Sequence, residues 1–444
     1  MIFTTLLLLI SILAIIILSS YYKFSTFFVL IFVAICVGLF AGISGEQVIK
    51  ALKAGFGATM EKVGLLIILG VVLGILLEKS KATLSLAQFI LLKTGEKYAP
   101  LAITLIGFLI GLPIFCDSGF IVLIGLTLSL GHKIPKSQFT LVCTLATSLY
   151  GVHCLVPPHP GITSAAAILN VDIGKAMLIG AFVSIPSTIA AYFWNKYVGA
   201  TYQDSYEKLT TYQPIEILKH DLPNPYLSFL PIIIPIVLIA LKSILGVYPT
   251  FLPEQIIKIA KFLGEPVVAL MVGILLSLFL FQKVEKKVIN QLLEESIEKA
   301  GPILAVIAAG GAFGEIIKTL DIGKVYADVL KAGNLGLLIP FGLALIFKTA
   351  QGSSTVAVIS AASICLPLLP SLGLESEWGR LLALSAMGAG SMVVSHANDA
   401  YFWVITKFSN SNLNLTLRSF TPASALMGFV ALATIYGLKW YLGV

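Results

Sequence analysis

From Tyr98 to His132 the chain carries a single charged residue, Asp117. A tract of that length without other charges is too long for one core helix and too apolar for a solvated surface. About 20 apolar residues cross a bilayer as a helix, and only helices and closed barrels satisfy their backbone there. Comparable apolar tracts recur at 2–20, 24–42, 63–78, 137–171, 176–195, 226–246, 264–282, 300–317, 332–371, 381–408 and 420–438. Charged residues make up 11% of the sequence, against roughly 25% in a soluble domain. The expected fold class is an all-α polytopic membrane protein. The first tract lacks a basic leader and is long enough to span, so it reads as a transmembrane helix rather than a signal peptide.

The net charge of +7 is spread over short connectors such as "FQKVEKKVIN" (281–290). That pattern fits loops kept on the cytoplasmic side and contact with anionic lipid, not nucleic acid. The five cysteines (Cys36, Cys116, Cys143, Cys154 and Cys365) lie in apolar tracts without a C-x-x-C pair. They read as small buried hydrophobes, and no metal site or cofactor is expected. No H-E-x-x-H, G-x-S-x-G or G-K-[ST] motif is present, which leaves an enzyme without a visible site.

The chain also resembles itself. "GVVLGILLEKS" (70–80) lies over "GGAFGEIIKTL" (310–320), and "FCDSGFIVLIG" (115–125) over "TAQGSSTVAVI" (349–359). "VPPHPGITSAAAIL" (156–169) lies over "VSHANDAYFWVITK" (394–407). The order is kept and every offset is about 240, which reads as a duplication. The expected halves are 1–195 and 226–444, joined by a polar loop over 196–225. Each half is expected to hold about five full spans, a polar-tipped re-entrant hairpin (98–131 in the first half) and a broken helix (138–170 in the first half). That count is odd, so the second half would enter the membrane upside down, as in inverted-repeat secondary transporters.

Polar groups inside a membrane are costly, and irregular backbone there lines a cavity or is buried in protein. The apolar tracts are interrupted at four places in two repeat-related pairs. The first pair is "CDSG" (116–119), with Asp117 and Ser118, and "KTAQGSSTV" (348–356). In the second member, Gly352, Ser353, Ser354 and Thr355 form an opened turn before a helix, which is a natural anion seat. Gln351 aligns with Asp117, and Lys348 adds a positive charge about one turn earlier. The second pair is "VHCLVPPHPG" (152–161), with His159, and "SHANDAYFW" (395–403), with His396, Asn398 and Asp399. His153 reads as structural. The G-x-x-x-G pairs at Gly70/Gly74 and Gly310/Gly314 suit close helix packing.

The strings "LVPPHPGITSAAAILNVDIGKAMLIG", "IAAGGAFGEII", "AQGSSTVAVISAASI" and "SHANDAYFW" resemble the gluconate permease family of bacterial proton symporters, and the likeness runs over essentially the whole chain. The resemblance implies a multi-pass carrier of the bacterial cytoplasmic membrane that imports gluconate or a related sugar acid with protons. Asp117 stands where similar members have Glu, and Lys348 where several have Arg or His.

With the resemblance, Asp117 is expected to be a buried carboxylate that carries the coupled proton, with Asp399 as the rival carrier. The substrate carboxylate is expected on Gly352–Thr355, beside Lys348 and Gln351. Its hydroxyls are expected to meet Ser118, His159, His396, Asn398 and Asp399. The alternatives are a carrier of D-serine or another small hydroxy acid, sodium coupling in place of protons, and a passive channel. A homodimer is left open.

Overall fold

The computed structural model describes residues 2–133, 138–207, 222–247, 253–281, 286–319 and 336–443, and among these it is helical without a strand. The first half of the chain holds α1 (Ile2–Ile16), α2 (Thr26–Phe40), α3 (Gly45–Lys79), α4 (Ala82–Thr94), α5 (Ala99–Gly111), α6 (Cys116–Lys133), α7 (Gln138–Leu155), α8 (Pro160–Ile168) and α9 (Ile173–Glu207). The second holds α10 (Pro225–Val247), α11 (Glu254–Leu263), α12 (Pro266–Leu278), α13 (Lys286–Lys318), α14 (Leu338–Gln351), α15 (Ser354–Cys365), α16 (Glu377–Met392), α17 (Ala400–Phe408) and α18 (Leu413–Leu442). Six of the described helical stretches are long and apolar enough to cross a membrane, and the bent pair α11–α12 makes a seventh if it counts as one span. The spans expected at 2–20 and 24–42 are α-helices of 15 residues each, the first prolonged by a π-helical turn, Ile17–Tyr21.

The expected loop over 196–225 is corrected in its first part. α9 continues without a break to Glu207, because "KYVGATYQDSYE" contains no proline and one face of it is buried. Gln203 Oε1 accepts from the Phe139 amide at 2.9 Å, and Tyr206 donates to the Ser409 carbonyl at 2.6 Å. Residues 208–221 lie outside the described residues.

Each helix break has a local cause. Pro113 stops α5, and the Pro157–Pro158 pair stops α7, because proline lacks an N–H and disfavours helix in the residue before it. Gly352, at φ +79°, ends α14 in a left-handed conformation that glycine adopts without strain. The Ser353 side chain then caps α15 by accepting from the Val356 amide at 3.3 Å. Asp399 caps α17 by accepting from the Tyr401 amide at 3.0 Å. α5, α14 and α15 have 13, 14 and 12 residues. Each is about 20 Å long, short of the roughly 30 Å hydrocarbon core.

The helix order repeats. α3, α5, α6, α7, α8 and α9 are each followed about 240 residues later by a counterpart: α13, α14, α15, α16, α17 and α18. Packing follows the same exchange. α2 lies against α13 and α12 against α3, α8 lies against α15 and α17 against α6, while α3 packs on α13 and α9 on α18. Each half therefore leans its broken helix on the other half's polar-tipped pair.

The long helices α3 and α13 cross through glycine. A Cβ on Gly55 would lie 2.4 Å from the Gly311 carbonyl oxygen and 2.9 Å from Ala312 Cα. The G-x-x-x-G glycines do a different job from joining these two helices. Gly70 packs on Pro158 and Gly74 on the Pro113 carbonyl, while Gly310 meets Ile359 and Gly314 meets Ser363. The first stripe thus cradles the breaks at Pro113 and Pro158, and the second seats the middle of α15. Gly55→Val should cost about 1–3 kcal/mol by overpacking against rigid backbone. Thermal unfolding followed by gel filtration in detergent should show a lowered melting temperature, and an unchanged one would mean that the crossing can spread.

Candidate functional site

The four breaks converge on one cavity of about 500 Å³, within the size range of small-molecule sites. The first break contributes Phe115, Cys116 and Asp117, and α7–α8 contribute Tyr150, His153 and Pro160. The α14–α15 break contributes Gln351 through Val356, and the last break contributes Asn398 through Tyr401. Pro302, Ile303 and Val306 of α13 form an apolar wall.

One wall presents hydrogen-bond donors at a helix start. α15 begins at Ser354, so the amides at its start have no carbonyl four residues earlier in the helix to bond. The helix dipole adds a partial positive charge at the same place. Beside it the Gln351 side-chain amide has no partner on either its oxygen or its nitrogen, and neither does Asn398 Oδ1. Buried polar atoms left unpaired are costly and rare, and here they lie just beneath the cavity surface, on residues that line it. The Asn398 nitrogen is engaged, donating to the Thr349 carbonyl at 2.7 Å. This contact ties the last break to the end of α14.

Behind this wall lies an ion pair. Lys348 is fully buried, and its Nζ lies 2.5 Å from Asp399 Oδ2 and 2.6 Å from the Gly352 carbonyl oxygen. It also sits 5.5 Å from the centroid of the Tyr150 ring. Asp399 accepts in addition from Ser395 Oγ and the Tyr401 amide. Excellent geometry and several extra hydrogen bonds are what a buried pair requires to offset desolvation. The pair fastens the tip of α14 to the start of α17.

Several expectations change here. Asp117 lines the cavity but is exposed to it, not buried, because it sits in the first turn of α6 at the mouth of the break. Its Oδ1 accepts from the Ser118 amide at 2.9 Å, and no cation pairs with it among the described residues. Lys348 is turned away from the cavity towards Asp399, so it is not a free cation for a ligand. Ser118, His159 and His396 do not line the cavity either. His396 Nε2 lies 3.2 Å from the Thr349 carbonyl oxygen, and His159 is buried behind His153. Gln351, Gly352, Ser353, Ser354, Thr355, Asn398 and Asp399 do come together.

His153, read from sequence as structural, is on the cavity wall. Tyr150 and Tyr401, which the sequence reading passed over, stack there with centroids 5.5 Å apart. Tyr150 stands three residues before His153 on α7, and that spacing puts both on one helix face. Tyr401 follows Asp399 by two, so proximity to a break was its signal.

Comparison with known proteins agrees with this architecture. Residues 3–440 match the model of the GntP family permeases. The high-affinity gluconate transporter of Escherichia coli strain K12 is 29% identical over 423 residues, covering 93% of each chain. A gluconate permease of Zymomonas mobilis is 31% identical over 444 residues, covering 97% of this chain and 96% of the relative. Among solved structures, MtrF of Neisseria gonorrhoeae superposes with a TM-score of 0.59 at 16% identity, over 88% of this chain and 84% of that one. With a family match over almost its whole length and its many apolar helices, the chain belongs to the GntP family of permeases and is a multi-pass protein of the bacterial inner membrane.

Proposed function

We propose that the protein imports gluconate or a related sugar acid together with a proton. The observation that carries this reading is the convergence of all four helix breaks on one cavity with a helix N-terminus on one wall and a carboxylate on another. The substrate carboxylate lies on the amides of Ser353, Ser354 and Thr355, where donors and the helix dipole act together. Its hydroxyls meet the wall at Gln351 and Asn398, where a small side-chain rotation brings amide atoms that lack a protein partner to the ligand. Relatives named for gluconate support the substrate class.

Asp117 carries the proton. It shares the cavity with the anion seat and has no cationic partner among the described residues. Two negative charges in a cavity walled by protein repel each other, so protonating Asp117 favours the anion and the anion favours the proton. Such coupling is reciprocal. Asp399, already saturated by Lys348, Ser395 and the Tyr401 amide, braces the site. The exchange of packing partners between chain halves supports reading 1–195 and 226–444 as repeats of opposite orientation.

The Thr355 hydroxyl adds a further donor beside those amides, and Thr355→Val keeps the bulk and the amide while removing it. Loss of a hydrogen bond to a charged group costs about 1.5–3 kcal/mol, or roughly ten- to a hundredfold in affinity. Competition binding of gluconate to the purified variant measures this directly. Wild-type affinity in the variant would mean that the Thr355 hydroxyl does not reach the ligand and only packs against Gly161.

A further inference from the structure

We propose that His153 is a hydroxyl-reading residue of this cavity, held as a hydrogen-bond acceptor by His159, and that it selects hydroxy acids over their deoxy counterparts. The inference rests on the reading of the cavity as the seat of an organic anion.

The argument starts at the end of α5. The Gly111 carbonyl oxygen lies 2.6 Å from His159 Nε2. A carbonyl only accepts, so His159 Nε2 bears the hydrogen. His159 is 3% exposed, and no carboxylate bonds to it among the described residues to compensate a charge. A neutral imidazole carries one hydrogen, so His159 Nδ1 is bare. Facing it at 3.3 Å is His153 Nδ1, which must therefore donate. His153 likewise has no carboxylate bonded to it among the described residues, so it too is neutral and its Nε2 is left without a hydrogen. This atom has no protein partner among the described residues, and it is not among the buried unpaired atoms, so it opens to the cavity that His153 lines. The Phe115 ring meets the imidazole edge to face, with centroids 6.3 Å apart.

The cavity then has a division of labour. The start of α15 offers donors, which suit a carboxylate. Asp117 when ionised accepts, but its charge opposes an anion. A neutral imidazole nitrogen accepts a hydroxyl hydrogen without repelling the carboxylate on the same ligand. His159 does not line the cavity and acts as a positioning residue, passing the demand of a backbone carbonyl to its neighbour's tautomer.

The test measures binding to purified full-length protein in detergent. The ligands are gluconate with its mono-deoxy analogues, and glycerate with lactate and 3-hydroxypropionate. For wild type, one deoxy position should lose about tenfold relative to its parent acid. His153→Leu should weaken the parent by the same factor and leave that deoxy analogue bound as before, which also certifies the fold. His153→Gln, whose amide oxygen can stand near the place of Nε2, should recover most of the parent's affinity. His159→Leu frees the tautomer of His153 and should lessen the discrimination without abolishing binding.

Equal loss for parent and deoxy analogue, or wild-type discrimination in His153→Leu, would overturn the proposal. Should the leucine variant not fold, His153→Ala decides: discrimination lost supports the role, and discrimination as in wild type overturns it. Failure of the sugar-acid reading appears separately, in wild type. If wild type binds glycerate and not gluconate, that reading falls while His153 is still judged on the glycerate set. If wild type binds no hydroxy acid, both fall.

Discussion

In proteoliposomes carrying Asp117→Asn, gluconate accumulation on an imposed pH gradient should fall to the level of empty liposomes, while counterflow of labelled against unlabelled gluconate persists. An amide keeps the size of the side chain and resembles the protonated acid, so the loaded carrier still forms and exchanges. It cannot release a proton to complete the empty return step. The exposure of Asp117 to the cavity makes this variant mild for the fold, since no buried charge is left unpaired. Asp117→Glu should keep part of the coupling, because an acid remains in the same cavity. Accumulation by Asp117→Asn at wild-type level would move the proton elsewhere, with Asp399 the other acid of the site.

The second large effect concerns the brace. Lys348→Met leaves the Asp399 carboxylate buried without its cation, and breaking a buried pair from one side costs about 3–5 kcal/mol. Asp399→Leu does the same to Lys348, which is fully buried. Each single variant should lose most of its monodisperse yield in detergent. The double variant Lys348→Met/Asp399→Leu removes both charges and should regain much of that yield, because apolar replacement of a whole buried pair is often neutral or better. A double variant no more stable than either single one would mean that the hydrogen bonds to Gly352 and Ser395, not charge pairing, hold this corner.

Much of the site was legible because a membrane penalises polarity so strongly. Asp117, Lys348 and Asp399 stand out against apolar sequence, and Gly352 and Pro157–Pro158 announce breaks by their backbone chemistry. Direction was not legible. The sequence does not say towards which side Lys348 reaches, and the structure turns it to Asp399. Of the two histidines, the structure puts His153 on the cavity wall and His159 behind it. Which of His153 and His159 meets the cavity depends on how the chain leaves α7, and the bend puts His159 against Gly111. Tyr150 and Tyr401 look like any membrane aromatics until the breaks are brought together. The helical extension to Glu207 was hidden by its polar composition, because its buried face docks on distant residues such as Ser409.

On the proposed function, anion and proton travel together through this cavity. Wild-type protein in sodium-free liposomes loaded with a pH-sensitive dye tests it most directly. An inward gluconate gradient, with no other driving force and with the membrane potential clamped, should acidify the lumen. Gluconate uptake without acidification, or uptake that appears only when sodium is added, would contradict the account.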